Sequence, residues 1–150
     1  MKKPAVGRET LGGRLLLLAA AAIFVIAVAG VLGGAGDSVS AATREERAAL
    51  LRDLGHTPDI DSETEKHVRL PKDFPAVLDN YEQLQRSQGL SLKKYAGKEI
   101  HIYTCPLVED GQEGVYSALY VYRGKVIGGD VHSVDFEGYM RPLFPASENG

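Results

Sequence analysis

Between Arg14 and Asp37 the chain carries no charged side chain, and the centre of this run, Leu15 to Leu32, is almost wholly apolar. About 22 residues of helix rise roughly 33 Å at ~1.5 Å per residue. That length spans the ~30 Å hydrocarbon core of a bilayer. A cytosolic protein would have to cover such a helix on every side, and no other part of the chain is large enough to do so. Lys2, Lys3, Arg8 and Arg14 outweigh Glu9 before the run, which places the N-terminus inside the cell and Asp37 onward outside. The competing reading is a secretory signal cut after Ala41, because Val39-Ser40-Ala41 has the small-residue pattern of a cleavage site. The apolar run exceeds the ~7–15 residues of a signal core, so an uncleaved anchor is the first reading. Either way the C-terminal part is exported. Gly30 and Gly34 form a GxxxG spacing that lets two membrane helices approach.

The exported remainder is enough for one domain. From Asp37 onward 13 Lys and Arg stand against 19 Asp and Glu, a net −6. With no basic stripe, nucleic acid is not an expected partner, and an anionic lipid surface would repel the domain. Cys105 is the only cysteine, so no internal disulfide can support an exported fold and the apolar core must do so.

The local pattern predicts helix, short strand, helix, then an antiparallel meander. Thr43-Arg44-Glu45-Glu46 has capping-box spacing, Leu50, Leu51 and Leu54 share a helical face, and Gly55 suits the left-handed position after a helix over 44–54. His56 to Lys66 is polar and reads as a loop, with a short strand at 67–70 ended by Pro71. Asp73 is placed to cap a second helix, with Pro75 in its first turn. Phe74, Val77, Leu78, Tyr81 and Leu84 form its apolar stripe, and Glu82, Gln85, Arg86 and Gln88 are expected to face water before Gly89 ends it. Residues 99–108, 115–122 and 125–133 alternate as strands, with Arg123-Gly124 as the hairpin turn. Pro142 and Pro145 argue against a further long element. The expected fold is α+β: an N-terminal transmembrane helix or signal anchor, then two helices packed on one face of a single antiparallel sheet of three or four strands. The expected organisation is a cytoplasmic segment 1–14, the span 15–36, a tether 37–43, the extracytoplasmic domain 44–141 and a tail 142–150.

Gly128-Gly129-Asp130-Val131-His132 is the segment most like a site. Asp130 and His132 are two apart on a strand and share a face, so the carboxylate can orient the imidazole as a base or join it on a metal. The simpler reading is a glycine bulge with Asp130 and His132 bonded to neighbouring loops. His101 joins them only if strand register allows. Cys105 lies roughly 13 Å along its strand from His101, too far for a dyad, and suits a half-buried structural role. Tyr116, Tyr120 and Tyr122 share a face that could stack on glycan rings or lie under a helix. His56 and His67 suggest no chemistry. No paired Cys/His metal spacing, P-loop, nucleophile elbow or HExxH is present, so no metal or cofactor is expected.

Several segments together resemble a domain-of-unknown-function family of small membrane-anchored proteins of clostridia and related Gram-positive bacteria. They are Arg47 to Gly55, Leu70 to Phe74, Tyr81 to Leu90, Leu92 to Lys98, Tyr120 to Ser133 and Gly138 to Met140. The resemblance covers most of 44–141 and implies a membrane segment with one compact external domain, but no activity. The chain departs from the family pattern at His56, where an aromatic is usual, and at Arg141-Pro142, where a His-Gly pair is usual. The second departure weakens any shared catalytic site at the C-terminal end. The expectation is therefore a non-enzymatic binding or regulatory module of the cell envelope, anchored through Leu15 to Gly36, with an envelope protein or cell-wall glycan as partner. Two rivals stand beside it: a hydrolytic or metal site at Asp130 and His132, and glycan binding through Tyr116, Tyr120 and Tyr122.

Overall fold

The computed structural model describes residues 39–109 and 112–146. The expected membrane span 15–36 lies outside them. Among the described residues no helix is long and apolar enough to cross a membrane.

The sheet has five strands, not three or four, in the order β1 (Thr64–Arg69), β2 (Glu99–Pro106), β3 (Val115–Tyr122), β4 (Lys125–Ser133) and β5 (Met140–Pro142), each antiparallel to the next. Only β5 is additional to the strands expected; β1 is the short strand expected at 67–70, begun earlier, and both departures lie at sheet edges. β1 starts at Thr64, inside the stretch read as a loop. Only Val68 of its six residues is even half-buried, so it carries no apolar alternation to read. β5 ends in Pro142, which an edge tolerates because the missing N–H faces no neighbour.

The two helices also depart from expectation, because they lie on opposite faces. Helix α1 (Arg44–Asp53) lays the Arg47 guanidinium 3.6 Å from the centre of the Tyr103 ring. Helix α2 (Ala76–Ser87) packs Tyr81 on Tyr120, with ring centres 5.6 Å apart. Tyr103 pairs with Leu119, so Tyr103 and Tyr120 point to opposite sides. The cause is legible in β3 and β4. Val115, Leu119, Val121 and Val131 are buried on one side, while Ala118 and Asp130 are buried on the other. Strands buried on both faces, as β3 and β4 are, need cover on both sides.

α1 begins at the expected capping box. The Glu46 N–H donates to Thr43 Oγ1 at 3.1 Å, and Glu46 Oε2 accepts from the backbone N–H of Thr43 (3.1 Å) and Ala42 (2.8 Å). The Thr43 backbone bond first, then the Ser40 side chain, hold the Glu46 carboxyl below its usual range. Arg47 is buried and anchors the helix to what surrounds it. It donates to both Glu63 oxygens at 2.6 and 2.8 Å, and to the carbonyls of Ala41 (3.1 Å) and Ala42 (3.2 Å). Ala41 is itself fully buried, and its N–H donates to Gly124 O. Residues 39–41 therefore dock on the β3–β4 turn, where Ser40 bridges Lys125.

α2 differs from its reading at the start and along one face. Pro75 occupies the N-cap position and no side chain caps the helix, so Asp73 does not play that part. Its far end is a Schellman motif: Leu90 N–H to Gln85 O and Gly89 N–H to Arg86 O, with Gly89 at φ +78°. Of the expected stripe, Tyr81 packs inward but Val77 is exposed, and the polar Glu82, Gln85 and Gln88 are buried. Their partners explain this. Glu82 accepts from the backbone N–H of Leu92 (2.8 Å) and Lys93 (3.2 Å) and from Ser91 Oγ (2.5 Å), organising the turn after the helix. Gln85 Oε1 accepts from Gly129 N–H (2.8 Å) while Gln88 Nε2 donates to Gly129 O (2.7 Å). Gly129 lies one residue beyond the last β4–β5 pair, so the glutamines supply the main-chain partners that β5 does not.

The apolar layer under α2 comprises Leu70, Leu92, Ile100 and Ile127, with Phe74, Tyr81, Tyr95, Tyr120 and Tyr122 packed around it. A bulge skips Ile127 between the pairs Tyr120–Gly128 and Val121–Val126 and turns it into this layer. A Cβ on Gly128 would meet Leu92 Cδ2 at 2.8 Å, and one on Gly129 would meet Leu143 Cδ2 at 2.9 Å and Ala118 O at 3.1 Å. The paired glycines thus make room for protein on both faces.

Candidate functional site

β4 carries Asp130 and His132 on the α2 side of the sheet, as the two-residue spacing requires. Asp130 is buried and both its oxygens are engaged: Oδ1 with His132 Nδ1 at 2.6 Å, Oδ2 with the Tyr81 hydroxyl. A carboxylate can only accept, so His132 Nδ1 is the donor in this bond. Burial above all, then the neighbouring Tyr120 and Asp130, push the Tyr81 hydroxyl far above its ordinary pKa, and it stays a donor. Burial pushes Tyr120 upward too. This geometry ties α2 to β4 through one carboxylate. It orients an imidazole, but among the described residues the bonded and stacked partners of His132 are Asp130 and Tyr116, neither of them an activated nucleophile.

The three strand tyrosines share a face but not a surface. Tyr120 lies under Tyr81, and Tyr122 packs on Tyr95 with ring centres 5.2 Å apart. Tyr116 lies farther along and stacks on His132, centres 6.0 Å apart and planes 18° apart. His132 is in turn opposite Met140 of β5, so Tyr116, His132 and Met140 form one row across three strands. The row ends beside an exposed apolar turn. Val134, Phe136, Tyr139 and Met140 are all exposed, Phe136 fully. The turn is nonetheless pinned. Gly138 N–H donates to Asp135 O (2.8 Å), Ser133 N–H to Tyr139 O (2.9 Å), and the Tyr139 hydroxyl to Gln112 Oε1 (3.1 Å).

Cys105 is buried on the α1 side, where burial, then Glu63 and Asp59, push its thiol up to about 11. It is held as a structural thiol, not an activated one.

His101 does not reach Asp130. It points to the opposite face, two strands away, and meets residues the sequence reading passed over. β1 presents Glu65 and His67 on that face, and the register places Tyr103 opposite Glu65 and His101 opposite His67. Glu65 Oε1 gathers His101 Nδ1 (2.6 Å), His67 Nε2 (3.1 Å) and the Tyr103 hydroxyl (3.3 Å). The His101 bond is the main reason the Glu65 carboxyl lies below its usual range. The two imidazoles meet edge to face, 3.9 Å between centres. The one available signal was the Glu65-x-His67 alternation, which needed the expected strand at 67–70 to extend back past Glu65.

Against known proteins, no family model, no curated protein and no solved structure matches this chain.

Proposed function

We propose that this chain is a membrane-anchored binding module of the cell envelope, non-enzymatic, which takes hold of a protein partner at the β5 end of its sheet. One observation carries the reading: Phe136 stands wholly in solvent on a turn that hydrogen bonds hold in place, with Val134, Tyr139 and Met140 exposed around it. Exposed apolar patches of this kind mark interaction surfaces. β5 beside it is an edge strand of the sheet among the described residues, and Pro142 blunts it against strand pairing, so the partner is held by the exposed side chains. Asp135 and Glu137 in the same turn favour an apolar segment with basic flanks. Residues 39–41 join the fold at the β3–β4 turn, the other end of β4. Retention of the anchor is supported by Ala41, whose N–H and carbonyl are both bonded within the fold; processing after Ala41 would detach it. The resemblance to small membrane-anchored proteins points the same way.

The test is site-specific photocrosslinking of the full chain in intact cells, with a photoreactive phenylalanine at position 136 or, as a control, at the exposed Val77. The expected result is one discrete protein adduct at 136, absent at 77 and lost when Met140→Asp is added. Identical adducts at both positions would overturn the reading. A heterogeneous glycan-linked product at 136 would replace the protein partner by cell-wall glycan.

A further inference from the structure

Glu65, His67 and His101 place one carboxylate oxygen and two imidazole nitrogens within 4.8 Å of one another. The arrangement is built by strand register and does not depend on loop conformation. His67 and His101 are directly opposed on β1 and β2, and Glu65 is two residues along β1 on the same face. Without an ion, both imidazoles must direct a proton at the same oxygen of Glu65, crowding two N–H groups and the Tyr103 hydroxyl onto one acceptor. An ion at that point would replace two protons by two lone pairs. Bonds of ~2.0–2.1 Å from nitrogen and oxygen suit a tetrahedral centre. The side chains of Glu65 and His67 are 46% and 70% exposed, so both can make the small rotations this needs.

The geometry points to a transition-metal site, two histidines and one glutamate, on the α1 face of the sheet at its β1 edge. Imidazole ligands select zinc, copper and nickel over magnesium and calcium. Three protein ligands leave a fourth position to water, so the site is open and its ion exchangeable. Tyr103 stays on Glu65 as a hydroxyl donor that fixes the carboxylate, the role outer partners commonly fill at metal sites. The nearby Arg47 guanidinium is paired with Glu63, which offsets its charge. The next pair along the face, Arg69 and Glu99, is likewise neutralised at 2.6 Å. The net −6 of the exported part favours cation approach. The site is at the other edge of the sheet from the Phe136 turn, so its test is independent of the binding reading.

The experiment titrates the full chain in detergent micelles with zinc against a chromophoric chelator, after stripping with a strong chelator. One equivalent of zinc is expected. Glu65→Gln should weaken it at least about tenfold, and the double variant His67→Ala/His101→Ala should abolish it, while His56→Gln leaves it unchanged. Imidazole NMR signals of the unsubstituted chain provide a second readout: those of His67 and His101 should move with zinc, and that of His56 should not. Zinc bound equally well by the double variant, or zinc that shifts neither imidazole, would overturn the site, as would failure to bind at all.

Discussion

Asp130 and Glu65 gather the same company on opposite faces of one sheet. Each accepts from a tyrosine hydroxyl and from histidine: Asp130 from Tyr81 and His132, Glu65 from Tyr103, His67 and His101. The Asp130 side chain is 2% exposed and that of Glu65 46%. Burial separates their uses. A buried carboxylate must keep its partners, because leaving them unpaired costs more than the bonds return. An exposed one can trade its protons for another ligand at little cost. The first cluster is thus a fastening between helix and sheet, and the second is free to bind.

This contrast breaks most readily at Asp130. Asp130→Ala strands the Tyr81 hydroxyl and the His132 proton together, and we expect about 3 kcal/mol lost from folding stability, read from urea melts of the full chain in micelles. A loss below about 1 kcal/mol would mean that water already serves these groups. Cys105 marks where the Glu65 face passes from exposed to buried, two residues beyond Tyr103. With its pKa raised to about 11, its thiolate is scarce at pH 8, and alkylation should run about a hundredfold slower than in the unfolded chain. Because the folded value is raised above the reference 9.0, this thiol's contribution to stability is complete below pH 9 and lost as pH rises toward 11. Native alkylation as fast as in denaturant would move that boundary. Gly129→Ala drives a Cβ to 3.1 Å from the Ala118 carbonyl and 2.9 Å from Leu143. We expect about 2 kcal/mol of destabilisation from overpacking, by the same melts; a neutral effect would show that Leu143 gives way. The smallest effect belongs to the exposed cluster. Glu65→Gln and His101→Ala should each change metal-free stability by less than about 0.5 kcal/mol. A larger loss would make that cluster a second fastening.

What could be read in advance follows from which physical signal each element carries. α1 was readable because a capping box and a glycine stop are local, and it runs from Arg44 to Asp53 beside the expected 44–54. β3 and β4 alternate, and Arg123-Gly124 supplies the two positive φ angles of a tight hairpin, +48° and +75°. Hydropathy misassigned Glu82, Gln85 and Gln88, because a buried polar side chain that bonds to distant backbone looks like a wet one until its partner is known. His67 fell in the expected short strand 67–70, but Glu65 was read as loop and strand register is not fixed by spacing, so His67 could not be set opposite His101. Asp130 and His132 were paired in the sequence by spacing alone, whereas Tyr81, 49 residues away, needed the helix seated on the sheet.

The docking of residues 39–41 on the β3–β4 turn bears on the order in which the domain can complete itself. Ala41 N–H waits for Gly124 O and Val126 N–H for Val39 O, so the first described residues close only on a hairpin synthesised more than 80 positions later. Contacts of such long range form slowly. As the chain emerges, residues 39–41 stay unlatched until the β3–β4 hairpin has arrived.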